Sequence, residues 1–120
     1  MVPELSGTQW SVDQKLDRTF AALADPTRRA LLTRLGSGAA SVAELAAPFA
    51  MTPRAVSKHL GVLERAGLIA RQRDAQRRPS TLCLKPLAEA DAWMQNFRDM
   101  WNERFAKMDE ILESQRDASR

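Results

Sequence analysis

The only histidine of the chain lies in a stretch whose cations recur at helical spacing, TPRAVSKHLGVLERAG (52–67). On a helix that turns by about 100° per residue, Val56, Leu60 and Leu63 share one face. The opposite face carries the cations Arg54, Lys58 and Arg65. Glu64 lies off that face, so these three cations have no carboxylate among them. Charged helix faces are usually only solvated, but the missing carboxylate favours an anionic partner. This opposite face, called the cationic face below, consists of Arg54, Ser57, Lys58, Gly61 and Arg65.

The charges of the whole chain divide into three blocks. The net charge is +3, but residues 52–85 hold eight basic against two acidic groups. Residues 1–51 hold five of each, and residues 86–120 hold five basic against eight acidic groups. A basic block beside an acidic one is the electrostatic pattern of a nucleic-acid face and a separate non-binding face.

Little else in the chain is arranged for chemistry. His59 borders the cationic face with no Asp or Cys neighbour to orient it, so we favour a packing role over a catalytic base, with a DNA contact as the second interpretation. Cys83 alternates with Leu82 and Leu84 and is interpreted as buried or half-buried filler, with a redox-active thiol as the second interpretation. A zinc or arsenic site needs three or four soft or imidazole ligands, and the chain has one Cys and one His. We therefore expect no metal site, no cofactor and no enzymatic activity.

Length and composition limit the class of protein. The chain of 120 residues is predicted to form one domain with a modest core, and its 44% of hydrophobic residues exclude a fully disordered chain. The longest apolar run is too short to span a membrane, and the N-terminus lacks the basic and apolar regions of a signal peptide. Because one cysteine also fits a reducing compartment, we expect a cytoplasmic protein.

The N-terminal part is predicted to be helical. Residues 1–11 are expected to form a flexible arm, and apolar spacing predicts a helix over 12–24. Asp25 is expected to cap a second helix with Pro26 in its first position. Leu31, Leu32 and Leu35 would form the apolar side of that helix.

The next elements have the order of a helix-turn-helix. Ser41 and Glu44 fit a capping box that opens a short helix. After a turn of about four residues, Thr52 is expected to cap the cationic helix, which Gly67 ends. In a helix-turn-helix the second helix enters the major groove of DNA.

The spacing of apolar residues changes after Gly67 from a helical to a strand-like pattern. The runs LIARQRD and STLCLK are rich in β-prone residues and flank the polar segment AQRRP. They predict a β-hairpin with a basic tip, here called the wing, with Pro79 at the edge of the second strand or before it.

The C-terminal segment is predicted to be one long helix over 86–115, with a tail over 116–120. Such a helix would be about 45 Å long, longer than a domain of this size can cover. Its exposed apolar stripe therefore favours contact with a second subunit over packing on its own core, and a small-molecule pocket lined by Trp93, Met94 and Phe97 is the alternative. The residues predicted to form a dimer interface are Val12, Leu16, Phe20, Trp93, Met94, Phe97, Trp101, Phe105 and Met108.

The runs DPTRRALL (25–32) and VSKHLGVLERAGLI (56–69), with the order of elements over residues 17–86, resemble the ArsR-type family of bacterial winged helix-turn-helix repressors. The resemblance implies a homodimer that binds operator DNA, represses transcription and is released by an inducer or a covalent signal. Metal-sensing members carry cysteine pairs or His/Asp/Glu clusters that this chain lacks. It resembles a branch without obvious metal sites, so we expect a non-metal signal, such as a small-molecule inducer, and no specific effect of zinc or arsenite.

The expected fold is therefore mainly α with a small β-hairpin wing, a single winged helix-turn-helix domain over 1–120. Its core would span 25–85, and it would dimerise through the N- and C-terminal helices. A winged-helix protein-interaction module and a thiol-responsive regulator acting through Cys83 remain as alternatives, but the wing arginines favour DNA. The residues predicted to contact DNA are Thr52, Arg54, Ser57, Lys58, His59, Gly61, Arg65, Arg71, Arg73, Arg77 and Arg78.

Overall fold

The computed structural model describes residues 11–73 and 78–118. Its elements form a winged helix-turn-helix that is mainly α, as predicted. The chain divides into two compact units, one ending at Glu89 and one starting at Ala90. In chain order the elements are α1 (Val12–Leu23), α2 (Pro26–Leu35), α3 (Val42–Ala46), α4 (Pro53–Arg65), β1 (Ile69–Arg71), β2 (Ser80–Leu82) and α5 (Lys85–Ala118).

Each of the helices α1 to α4 begins at a side-chain N-cap. Asp25 accepts a hydrogen bond from a backbone N–H at 3.0 Å, and Thr52 accepts one at 3.1 Å. The predicted capping box of Ser41 and Glu44 is confirmed, with both of its hydrogen bonds at 3.2 Å. Ser11, which was expected in the flexible arm, is instead the N-cap of α1, and the rest of that arm lies outside the described residues.

Leucines from α2, α3 and α4 form the core of the first unit. Leu31, Leu45, Leu60 and Leu63 are each 0% exposed, as is Leu68 just before β1. Burying a leucine side chain contributes roughly 1.5–3 kcal/mol, so the inner face of α4 is firmly held. The cationic face of the same helix is therefore directed away from this core.

The C-terminal end of α1 is capped by two arginines of α2. Arg28 donates to the carbonyls of Ala22 at 2.7 Å and Ala21 at 3.1 Å, and Arg29 donates to Leu23 at 2.7 Å. The last carbonyls of a helix have no partner within it, and guanidinium groups both satisfy them and complement the negative end of the helix dipole. The arginine pair in DPTRRALL thus fixes α1 on α2.

The wing is a two-stranded antiparallel hairpin in which Ile69 pairs with Leu82 and Arg71 with Ser80. Ser80 also exchanges two backbone hydrogen bonds with Ala40, at 2.8 and 3.1 Å, so the hairpin is joined to the segment before α3. Pro79 lies just before β2, as predicted. The predicted hairpin tip falls largely on residues 74–77, outside the described residues.

Helix α5 is longer than the predicted span. It runs for 34 residues, about 50 Å, and residues 116–118 continue the helix where a tail was expected. Beyond Ala90 most of its large apolar side chains are exposed, among them Trp93, Trp101 and Met108. Across the described ranges, 11–73 and 78–118, no helix has the length and apolar character needed to span a bilayer.

Candidate nucleic-acid interface

Helix α4 presents the cationic face to solvent. Val56, Leu60 and Leu63 are all 0% exposed, while Arg54 and Lys58 are exposed on the other side. The N-cap at Thr52 and the proline that follows it fix the start of the helix, so Arg54 lies in the first turn. A short capped helix with its apolar face buried therefore supports two exposed cations one turn apart.

Gly61 leaves an open gap in the middle of the cationic face. A Cβ built at this position would have one heavy atom within 4 Å, Nη1 of Arg65 at 3.4 Å. That atom is the far end of a flexible side chain, so the backbone of α4 can be approached closely here. Arg65 itself is exposed at the C-terminal end of α4.

Two arginines connect the wing to α4. Nη2 of Arg71 donates to Oγ of Ser57 at 3.3 Å. Nη2 of Arg73 contacts both carboxylate oxygens of Glu64, at 2.7 and 2.9 Å. The wing therefore lies against the flank of α4, and the two elements form one continuous surface.

The contact with Glu64 changes the charge distribution expected from the sequence. Glu64 lies off the cationic face, as expected, but its carboxylate pairs with one of the predicted DNA-contacting arginines. The side chain of Arg73 is 66% exposed and that of Glu64 27%. Because the pair offsets the charge of Arg73, this residue supports the position of the wing more than it adds positive charge.

Arg78 has an unusual backbone conformation. It is exposed just before Pro79 and has a φ of 44°, in the left-handed region that residues other than glycine rarely adopt. A non-glycine residue held there carries strain, which is found more often at functional sites. Arg77 lies outside the described residues.

His59 has the acidic neighbour that the sequence interpretation said was missing. Its Nδ1 lies 3.9 Å from Oδ2 of Asp25, and its side chain is 24% exposed. The hydrogen bond from the backbone N–H of Arg28 lowers the pKa of Asp25 below its ordinary value of 3.8, and His59 lowers it further. His59 therefore joins α4 to the start of α2, in a position consistent with the favoured packing role.

Cys83 and the possible metal ligands are the remaining reactive groups considered in the sequence. Cys83 is half-buried, and its backbone N–H donates to the carbonyl of Leu68 at 2.8 Å. Within residues 11–73 and 78–118, no three His, Cys, Asp or Glu side chains are grouped so that they could hold a metal ion.

The residues predicted to form a dimer interface are largely exposed in the single chain. On α1, Val12 is 71% and Phe20 37% exposed, and Leu16 is half-buried. On α5 the exposed fractions run from 47% for Trp93 to 56% for Met108. Trp93 and Phe97 pack against each other with ring centroids 5.0 Å apart. Met94 is half-buried, and the remaining predicted residues on this helix, all exposed, are Phe97, Trp101 and Phe105.

Comparison with known proteins agrees with this geometry. Residues 23–72 match the family described as a helix-turn-helix domain. The transcriptional repressor SdpR of Bacillus subtilis is 32% identical over 82 residues, which cover 68% of this chain and 91% of SdpR. A solved structure of an ArsR family transcriptional regulator superposes with a TM-score of 0.67 at 39% identity, covering 73% of this chain and 97% of that one. This chain belongs to the ArsR family.

The ArsR-family assignment makes the chain a DNA-binding transcriptional regulator. The regulator Rv2034 of Mycobacterium tuberculosis is 49% identical over 53 residues, 44% of this chain, and the match spans half of Rv2034. The surface formed by α4 and the wing is the candidate DNA interface of this ArsR-family protein.

Proposed function

We propose that this ArsR-family regulator is a homodimeric repressor that binds an inverted-repeat operator and is released by a small-molecule or other non-metal signal. The observation that carries the proposal is the exposed pair Arg54 and Lys58 on a helix whose opposite face is buried. The wing contacts the same helix through the hydrogen bond from Arg71 to Ser57. Repression is supported by the likeness to SdpR, which is named a transcriptional repressor.

In this proposal α4 enters the major groove. Recognition helices contact base edges with residues near their N-terminal ends, where Arg54, Ser57 and Lys58 lie. The fork of the Arg54 guanidinium matches the O6 and N7 acceptors of guanine. The open backbone at Gly61 would permit close approach to the duplex, and the wing arginines Arg71 and Arg78 would contact its phosphates.

Two copies of α4 are needed for a useful operator, because one helix reads only a few base pairs. A two-fold dimer would place them about 34 Å apart and require an inverted repeat. The exposed apolar side chains of α1 and α5 support these helices as the interface. A signal that changes their spacing would move both copies of α4 together.

The test is the affinity of Arg54→Ala for the DNA upstream of the protein's own gene, measured by fluorescence anisotropy. Loss of a bidentate guanine contact should weaken specific binding by about 1–3 kcal/mol. Lys107→Ala is the matched control, because Lys107 is an exposed cation on a different helix, α5. If a folded, dimeric Arg54→Ala variant binds this DNA as tightly as the wild type, the proposed face of α4 is wrong.

A further inference from the structure

A cavity of about 470 Å³ lies between α1, the C-terminal end of α4 and the first turn of α5, within the first unit. This volume is in the range of small-molecule sites. Four cations and two carboxylates from these elements line it. They are Lys15, Arg18, Arg65, Lys85, Glu64 and Glu89.

The charge of this cavity, called the basic cavity below, favours an anion. Both carboxylate oxygens of Glu64 already contact Arg73, at 2.7 and 2.9 Å, so the negative charge of Glu64 is offset from outside. Lys15, Arg65 and Lys85 are exposed, and their charged ends can turn toward a ligand without losing a buried partner. Charge-assisted hydrogen bonds from such groups to a carboxylate are stronger than hydrogen bonds between neutral groups.

Apart from Thr19, the remaining residues that line the basic cavity carry no polar side chain. Ala66 and Pro86 contribute to its lining beside Gly67, whose φ of 77° lets the chain turn away from the end of α4. A Cβ at Gly67 would lie 3.7 Å from Cγ of Pro86, so the two residues meet at this wall. Inorganic anions gain nothing from such walls, whereas an anion with a hydrocarbon body buries apolar area there.

We propose that the basic cavity binds a small organic anion with an apolar body and that this ligand weakens DNA binding. Arg65 belongs both to the cationic face of α4 and to the basic cavity, so a ligand carboxylate competes with DNA for its guanidinium. Because a coupling between two sites is reciprocal, DNA must weaken the binding of the ligand by the same factor. This second half of the proposal rests on the proposed function, and the first half does not.

The binding test uses 2-naphthoate as the anionic probe and 2-naphthamide as its neutral isostere, without DNA. In ¹H–¹⁵N correlation spectra, naphthoate at millimolar concentration should shift the backbone amides of Ala66, Gly67 and Glu89, and naphthamide should not. The double variant Lys15→Gln/Lys85→Gln should weaken naphthoate binding by about tenfold or more, because two charged contacts are lost. Lys107→Gln is the charge-matched control and should bind naphthoate as the wild type does.

Measurements of DNA binding distinguish a cavity that binds an organic ligand from one that binds the phosphates of DNA. Naphthoate should raise the apparent Kd of the wild type for its operator and leave that of Lys15→Gln/Lys85→Gln unchanged, while both proteins bind DNA equally without it. A smaller salt dependence of DNA binding in the double variant would assign these lysines to DNA phosphates and overturn the proposal. Absent or naphthamide-like shifts, or shifts confined to the aromatic residues of α5, would also overturn it. If no operator is bound, the proposed function fails, and the spectra alone still decide whether the cavity binds an anion.

Discussion

The carboxylate of Asp25 contacts the start of its own helix and the side of another. It accepts the capping hydrogen bond from the N–H of Arg28 at 3.0 Å and lies 3.9 Å from His59 on α4. The hydrogen bond lowers the pKa of Asp25 in the folded protein. Such a depressed pKa adds stability at pH values above the ordinary 3.8, and this stability is lost as the pH falls through the folded-state pKa.

The titration of Asp25 can be separated from its capping role. Asp25→Asn keeps a side-chain oxygen for the cap but cannot titrate, whereas Asp25→Ala loses both. The wild type should therefore lose more free energy of unfolding than Asp25→Asn between about pH 5 and pH 2. Urea denaturation at both pH values measures this difference. Identical losses for the two proteins would show that Asp25 is not responsible.

Ser80 carries a buried polar group without a partner. Its residue is 0% exposed, and Oγ has no hydrogen-bond partner among the described residues. A buried hydroxyl left unpaired costs roughly 1–3 kcal/mol, so Ser80→Ala should raise the free energy of unfolding by about 1 kcal/mol. The control Ser37→Ala, at an exposed turn, should change it by less than about 0.5 kcal/mol. A Ser80→Ala variant less stable than the wild type in urea would contradict this account.

The wing is the element whose role in DNA binding can be measured by salt dependence. Arg78 is exposed at a strained φ of 44°. If it contacts a phosphate, its removal should lower the slope of log K against log salt by about 0.9. Both Arg78→Ala and Arg78→Gly remove the guanidinium, so both should lower the salt dependence by the same amount. Arg78→Ala keeps the backbone strain and Arg78→Gly relieves it, so the glycine variant should have the higher free energy of unfolding. Lys107→Ala should keep the full slope, and an unchanged slope in both Arg78 variants would remove this arginine from the interface.

The sequence predicted those elements whose signals are local. The cap at Thr52 and the capping box of Ser41 and Glu44 act within one helical turn, so their sequence spacing is enough. The burial of Leu60 and Leu63 likewise follows from the helical period. For these reasons the order of the helices and the inner face of α4 were both predicted.

Apart from the pairing of the two wing strands, the contacts between elements were not predicted, because they join residues that are distant in sequence. Asp25 and His59 are 34 positions apart, and Ala40 pairs with Ser80 across 40 positions in a single isolated bridge. No periodicity encodes such pairs. The arginines that cap α1 were noticed only as part of a family resemblance. Their role depends on how α2 packs against α1, which composition and spacing do not specify.

At the scale of the whole molecule, the exposed stripe of α5 determines the assembly we propose. Trp101 is 55% exposed in the second unit. Placing a charge there would bury it in the proposed interface without a partner, so Trp101→Glu should give monomers and lose operator binding. Ala106→Glu adds the same charge about 140° around the helix and should remain dimeric. Analytical ultracentrifugation distinguishes these outcomes, and an intact Trp101→Glu dimer with full DNA affinity would refute the interface.

The two arginine contacts between the wing and α4 determine which segments must be grafted together from another family member to change operator preference. Transplanting the helix 53–65 alone from a member with other residues at positions 57 and 64 would remove the partners of Arg71 and Arg73. The grafted helix would then sit beside a wing built for a different neighbour. A chimera should therefore take α4 together with both wing strands, residues 52–82, as one cassette. Separate grafts of the helix and the wing should each acquire less of the donor's operator preference than their combination.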